Sequence, residues 1–237
     1  MLNYYFIKEP NLYNRSVHIV GFMHSSIPNN TLPKIETIYI DLTKTEEELY
    51  TKLHRSNRKQ INKASSYGFH IEVLTQPTIE DIREFQTFYN QFAKQTKTYS
   101  CDSFHLSTMR LLVDQNALII TKLLNESEVV QCYRVYISDG DIAFSLYSAS
   151  HFRLSNKTEE KRKLSEGSRY LLWRNILYFK EHNHLTYDMG GLTTNENIWK
   201  FKMEFGGEVI SVYSGYEANS MIGKLVLWLR SVKMTKG

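Results

Sequence analysis

Along the chain the apolar positions switch between a period of two and a period near 3.6, and the switches mark the elements. IETIYIDL (35–42) alternates apolar and polar residues with β-branched types and predicts a strand. Thr45-Glu46-Glu47-Glu48 then has the pattern of a capping box, with Thr45 as N-cap, Glu48 reaching back and an acidic first turn that suits the helix dipole. The helix it opens is expected to run to about Ser66, before Gly68. FHIEVL (69–74) is a short strand. From Thr78 to about Gln95, Ile79, Ile82, Phe85, Phe88, Tyr89 and Phe92 keep helical spacing, and a second helix covers about Ser103 to Asp114. Three strands follow, ALIITKLL, VVQCYRVYIS and IAFSLYSAS, separated by turns at NES and at Asp139-Gly140. A charged loop over 151–166 leads to Gly167 and an amphipathic helix, SRYLLWRNILYFKEH. LTYDMGG is a short strand, NIWKFKMEF a short helix and EVISVYSGY a strand, and ANSMIGKLVLWLRSVK closes as a basic amphipathic helix. Residues 1–34 read as irregular chain around one short strand, SVHIVGFMH.

Over 69–216 the order is β-α-α-β-β-β-α-β-α-β. It predicts an α/β (α+β) fold: a mixed, mostly antiparallel sheet with helices on both faces and a cleft where neighbouring strands splay. The expected organisation is an N-terminal extension (1–68) with strands and a basic helix, a core (69–216) and a C-terminal helix (217–237). With 237 residues, 42% hydrophobic and 23% charged, the chain is ample for a buried core and ordinary in composition. A net charge of +4 gives no bulk attraction to nucleic acid, and no DNA partner is expected. Two cysteines, Cys101 and Cys132, exclude a disulfide scaffold and a cysteine-only zinc site. The longest apolar runs, around LVLWL, are too short for a signal peptide or a membrane span, so a soluble, cytoplasmic protein is expected.

Three stretches carry a family resemblance. LHRSNRKQINKASSYGFHIEV (53–73) has a basic Arg-x-x-Ile-x-Lys helix ending before a Gly and a strand. GSRYLLWRNILYFKEHNHLTYDMGG (167–191) is a helix followed by a strand ending in Tyr-Asp-x-Gly-Gly, and NIWKFKMEFGGE (197–208) contains Phe-Lys-x-x-Phe-Gly-Gly. Together with the element order, they resemble the GNAT-type N-acyltransferases and, within them, the Fem branch of aminoacyltransferases and its single-domain relatives. Acetyl-CoA-using members carry a glycine-rich loop at the start of the helix after the three-strand meander, where backbone amides hold the pyrophosphate. Here that stretch is KRKLSEGSRY, with Gly167 alone. Where many such enzymes place a thiolate-protonating Tyr on the short helix, this chain has Lys202. Both departures are Fem-like.

The resemblance implies an N-acyltransferase working by direct attack, with no covalent enzyme intermediate and no tightly bound cofactor. The donor is acyl-CoA, an acyl-carrier protein or aminoacyl-tRNA. The acceptor is an amine of a cell-envelope precursor, either a nucleotide-linked amino sugar or a peptidoglycan peptide. A non-catalytic GNAT-fold module that binds a nucleotide or a partner is the alternative.

By resemblance Lys202 lies near the acyl carbonyl and stabilises developing negative charge, with Phe201 beside it and Phe205 packed beneath. Asp188, in YDMGG, is either an acceptor-orienting carboxylate and general base or a turn residue capping the next segment. Arg55, Arg58 and Lys59, on the face also marked by Lys52 and Lys63, are candidates for phosphates of a nucleotide-linked acceptor or tRNA; a solvated helix face accounts equally for them. Tyr147 faces the cleft or fills the interior. Arg169, in the first turns after the charged loop, reinforces an anion site there or pairs with Glu166. Trp173 reads as core. The scattered histidines lack a third ligand at a recognisable spacing, so no metal is expected, and neither cysteine reads as a nucleophile. The C-terminal helix is expected to dock on the domain, with membrane contact at most peripheral.

Overall fold

The computed structural model describes residues 1–9, 16–151, 157–192 and 195–235. Nine strands and seven helices lie among them, and the chain divides into two compact units. The larger comprises Tyr39–Gly190 and Asn195–Glu208; the other comprises Met1–Ile38, Gly191–Thr194 and Val209–Gly237. The basic helical segment lies in the larger unit.

In the larger unit the sheet contains β4 (His70–Leu74), β5 (Leu118–Leu124), β6 (Val130–Ser138), β7 (Ile142–Ser150) and β8 (Thr186–Gly191), in the order β8-β7-β6-β5-β4. Neighbours are antiparallel except β7 and β8, which run parallel. On one face lie α3 (Ile79–Thr96) and α4 (Ser103–Asp114), and on the other α5 (Thr158–Glu181). Strand β6 shows why both faces are apolar. Tyr133 meets Phe85 and Phe88 of α3, while Cys132 packs with Leu171 of α5. The α+β class and the mostly antiparallel sheet with helices on both faces are as expected.

Two helical expectations are corrected. The segment after Thr45 is not one helix but two, α1 (Glu46–Lys52) and α2 (Arg55–Ala64). The Thr45–Glu48 capping box forms. Leu53 then turns extended to bury itself, and His54 caps α2 through its ring, accepting from the Ser56 amide. Of the charged stretch expected as a loop over 151–166, residues 152–156 lie outside the described residues; from Thr158 it is not a loop but the start of α5, whose first turns are solvated helix. Gly167 lies inside that helix, where a Cβ would come within 2.9 Å of Leu123 and 3.0 Å of the Phe69 ring. The glycine brings helix and sheet together.

In the other unit β1 (Leu2–Tyr5) pairs parallel with β2 (Ile19–Ser25), which pairs antiparallel with β9 (Glu208–Ala218). Among the described residues of the first 33 there are thus two strands rather than one. Ile7, Val20, Phe22 and Leu32 form the core there. Strand β3 (Lys34–Asp41) starts in this unit and ends in the other. After β9 comes α7 (Met221–Thr235), which docks along only one side. Gly223 lies against His18, and Arg230 stacks over Tyr216 at 4.2 Å. Met221, Ile222, Leu225, Val226, Trp228 and Leu229 are exposed, so the expectation of a docked apolar face is not met.

Candidate active site

Strands β7 and β8 are paired over only three positions, Ile142, Ala143 and Phe144 against Thr186, Tyr187 and Asp188. Beyond Phe144 the register of β7 against β6 shifts between Val135 and Tyr136, where Leu146 is an extra residue. A bulge of this kind bends its strand and re-aims side chains. Gly190 adopts φ +78° at this point, and a Cβ would stand 2.8 Å from the Ser145 carbonyl oxygen. Only glycine combines that conformation with that approach.

The turn is held at both ends of Gly190. Its amide donates to Asp188 Oδ1 at 2.8 Å, and its carbonyl accepts from Lys202 Nζ at 2.9 Å. Lys202 reaches it from the last turn of α6 (Glu196–Met203). Burial pulls the Lys202 ammonium down to about 8, Arg134 adds to the fall and Asp188 opposes it. Lys202 is thus a cation at neutral pH that releases its proton far more readily than an ordinary lysine. Asp188 is wholly buried. Its Oδ1 accepts from the Gly190 amide, the arrangement that the turn-capping alternative describes.

Beneath β8 lies a polar network. Asn175 Nδ2 of α5 donates to Thr121 Oγ1 at 2.8 Å and to the Tyr136 hydroxyl at 2.7 Å, and Tyr136 and Tyr187 hydroxyls are 2.9 Å apart. Burial raises both tyrosines, so they stay neutral, and the network fixes the strand one residue from Asp188. Arg134, on β6, was passed over in the sequence reading. It is 4% exposed, and its Nε has no hydrogen-bond partner among the described residues. The available signal was a cation alternating with Cys132 and Tyr136 on an inward face. Cys101 and Cys132 are both buried, and burial pushes each thiol up to about 11, which leaves neither as a nucleophile.

The other expected residues fall into two groups. Arg169 and Phe201 come together: the guanidinium lies 5.1 Å over the Phe201 ring, while its Nε donates to Asn57 Oδ1 at 3.0 Å and Nη1 to Ser165. Arg169 lies mid-helix rather than near a helix N-terminus. It does not pair with Glu166, which accepts instead from Lys63 at 3.3 Å and from the Tyr67 hydroxyl. The start of α2 is tied to the end of α6, since the His54 amide and Asn57 Nδ2 both donate to the Glu204 carbonyl, at 2.9 and 3.2 Å. Arg55 and Lys59 are exposed on α2, and Arg58 donates to the Thr51 carbonyl across the helix break. The regular basic spacing from Lys52 does not survive that break. Tyr147 sits on the α3 face, against Phe85, Tyr89 and His105. Asp188 shares that face, because Tyr187 beside it points toward Phe179 of α5. Phe205 is buried against Phe201, and Trp173 is buried too. Gly206 takes φ +79° where a Cβ would meet the Lys52 carbonyl oxygen at 2.6 Å, which accounts for the first glycine of the Phe-Gly-Gly motif. Among the described residues no group of three or more His, Cys, Asp or Glu could hold a metal ion.

No family model and no curated protein matches the chain. Solved structures do match. FemX superposes with a TM-score of 0.62 at 14% identity, covering 82% of this chain and 63% of FemX. The C-terminal domain assigned to a lysylphosphatidylglycerol synthetase from Agrobacterium fabrum gives 0.58 at 14% identity, covering 90% of this chain and 72% of that one. L-PGS from Bacillus licheniformis gives 0.55 at 14% identity, with 91% and 72% covered. This chain spans only part of the FemX length. At such identities the likeness is one of architecture: this chain shares the fold of FemX and of these two proteins, as its order of elements led us to expect.

Proposed function

We propose that this chain is an acyltransferase that joins an acyl group, and by preference an aminoacyl group, to an amine of a cell-envelope precursor. The observation that carries the reading is Lys202: a desolvated cation at the point where β7 and β8 part, aimed by the Gly190 carbonyl. Similarity to FemX and to two proteins named for lysylphosphatidylglycerol synthesis or as L-PGS supports aminoacyl transfer. So does α5. The residues expected to form an amide-lined pyrophosphate loop, up to Gly167 and Arg169, are helix interior, and their amides are spent on the helix itself. That disfavours a coenzyme A thioester and favours an ester donor such as aminoacyl-tRNA.

In this reading the acceptor amine attacks the donor carbonyl, a C–N bond forms and the C–O bond to the leaving ribose breaks. Lys202 stabilises the oxyanion and gives its proton to the leaving oxygen; the amine's surplus proton goes to water. Asp188 and Arg134 set the Lys202 charge, and Asp188 positions it through the Gly190 turn. Phe201 and Arg169 hold α6 in register with α2. Arg55 and Lys59 remain open to phosphates of a nucleotide-linked acceptor or tRNA, while Tyr147 lines the acceptor side.

The test is transfer of radiolabelled acyl groups from aminoacyl-tRNA, acetyl-CoA and an acyl-carrier protein to a nucleotide-linked muramyl peptide and to a nucleotide-linked amino sugar. Product from aminoacyl-tRNA alone is expected. Product from a thioester would move the donor assignment. No product from any donor, with acceptor-induced stabilisation of about 2.7 kcal/mol at a hundredfold excess over Kd, would make the chain a binding module.

A further inference from the structure

Helix α7 turns its apolar side outward. Met221 is 78% exposed and Trp228 59%, and Ile222, Leu225, Val226 and Leu229 are exposed with them. At about 100° per residue these six fall in one sector roughly 160° wide, on the side away from Gly223. Gly223 marks the docked side: a Cβ there would stand 2.1 Å from the His18 carbonyl oxygen. Lys224 borders the sector on one flank and Arg230 on the other. After Glu217 the sequence carries Lys224, Arg230, Lys233 and Lys236 and no acidic residue.

A contiguous apolar face rimmed by charge of one sign marks a contact surface. Its charge selects the occupant. A second copy of the chain would bring two sets of cations together with no carboxylate on either helix to neutralise them. An anionic bilayer takes the same face without conflict: the apolar sector enters the headgroup–acyl boundary, the cations meet phosphates, and Trp228 lies at headgroup depth. No helix among the described residues is long and apolar enough to cross a membrane, so α7 would lie in the surface plane. We propose that α7 is an interfacial anchor that seats this protein on an anionic membrane. The inference stands apart from the acyl-transfer reading, since it uses no residue of that site.

The test is flotation of the full chain with vesicles of phosphatidylcholine alone and of phosphatidylcholine mixed with phosphatidylglycerol. Binding is expected with the mixed vesicles, weakening as salt rises, with little on neutral ones. Leu225→Glu combined with Trp228→Glu replaces only exposed side chains and should cut binding at least about tenfold; Lys224→Gln should cut it about fivefold. Quenching of tryptophan emission by brominated phosphatidylglycerol, compared with Trp228→Phe, reports insertion in the unaltered helix and does not depend on how the double variant folds. The proposal is overturned by absence of flotation, by equal binding to neutral vesicles, or by binding that the double variant retains. Dimers in vesicle-free solution that the double variant dissolves would also overturn it, giving the face to a second copy.

Discussion

Two lysines of the larger unit, Lys122 buried and Lys202 half-buried, are handled in opposite ways. Lys122, on β5, has a side chain only 8% exposed, and three carboxylates surround it: Glu72 at 3.3 Å, Asp81 at 3.5 Å and Glu84 at 3.9 Å. Glu72 is its directly opposed neighbour on β4, and Asp81 also closes the capping box of α3. Lys202 is given a carbonyl dipole, the field of Asp188 and the opposing field of Arg134, and burial takes it down to about 8. Burial alone therefore does not separate a structural cation from a chemical one. The difference is in the surroundings: Lys122 is met by three carboxylates, whereas Lys202 is held by the Gly190 carbonyl with Asp188 and Arg134 acting on it in opposite senses, and burial weakens its hold on the proton.

The sharpest way to break this contrast is to remove each cation. Lys202→Ala should lower transfer by about 10² to 10³-fold, the usual loss for a transition-state donor, without lowering the unfolding midpoint, because a desolvated charge is removed. Lys122→Met should do the reverse, costing about 1–3 kcal/mol while leaving turnover per folded molecule unchanged. Steady-state kinetics and urea melts on both variants decide it; equal kinetic losses would erase the distinction.

Titration of Lys202 is the next test. Below pH 8 Lys202 is protonated folded and unfolded, and the full cost of burying the charge is present. As pH rises from 8 toward 10.5 the folded state sheds the proton while the unfolded state keeps it, so stability rises. Wild type should gain up to about 3 kcal/mol on Lys202→Met across that window, read as the difference between two denaturation series. Turnover should fall over the same range, since the neutral amine neither stabilises an oxyanion nor donates its proton. A flat difference would mean that Lys202 is solvated in solution.

Gly190→Ala tests how the cation is aimed. A left-handed conformation and a contact of 2.8 Å with the Ser145 carbonyl forbid the new methyl, so about 1–3 kcal/mol of stability should be lost. Because the shifted carbonyl is the one that holds Lys202, turnover should fall as well. Stability loss with unchanged turnover would show that Lys202 is aimed by something else.

What could be read in the sequence, and what could not, follows from the range of the forces. The Thr45 cap, the helix over Ser103–Asp114 and the three-strand meander depend on neighbours a few residues away, and the sequence reading located them. Lys202 and the Tyr-Asp-x-Gly-Gly stretch were singled out through motifs rather than physics. The helix break at His54 was invisible because its reason is distant: the His54 amide and Asn57 are drawn to the Glu204 carbonyl. The start of α5 was missed because Lys157–Lys163 shows no apolar stripe; those turns are solvated, with Lys157 and Glu160 paired at 3.2 Å. Arg134 was hidden by an alternation that fitted a strand without asking what a cation does on its inner face.

The smallest expected effect probes how completely Lys122 is neutralised. Glu84 is its most distant carboxylate, at 3.9 Å, and its side chain is 65% exposed. Solvent screens such a contact, and the long side chain gives up rotamer freedom to make it, so Glu84→Gln should cost no more than about 0.5 kcal/mol. Glu72 and Asp81 stay in place, and the ammonium keeps two carboxylates within 3.5 Å. If the substitution instead costs as much as removing Lys122 itself, the three acids act as one coupled cage. Lys122 would then depend on every one of its carboxylates, and the contrast between the two lysines would be one of degree.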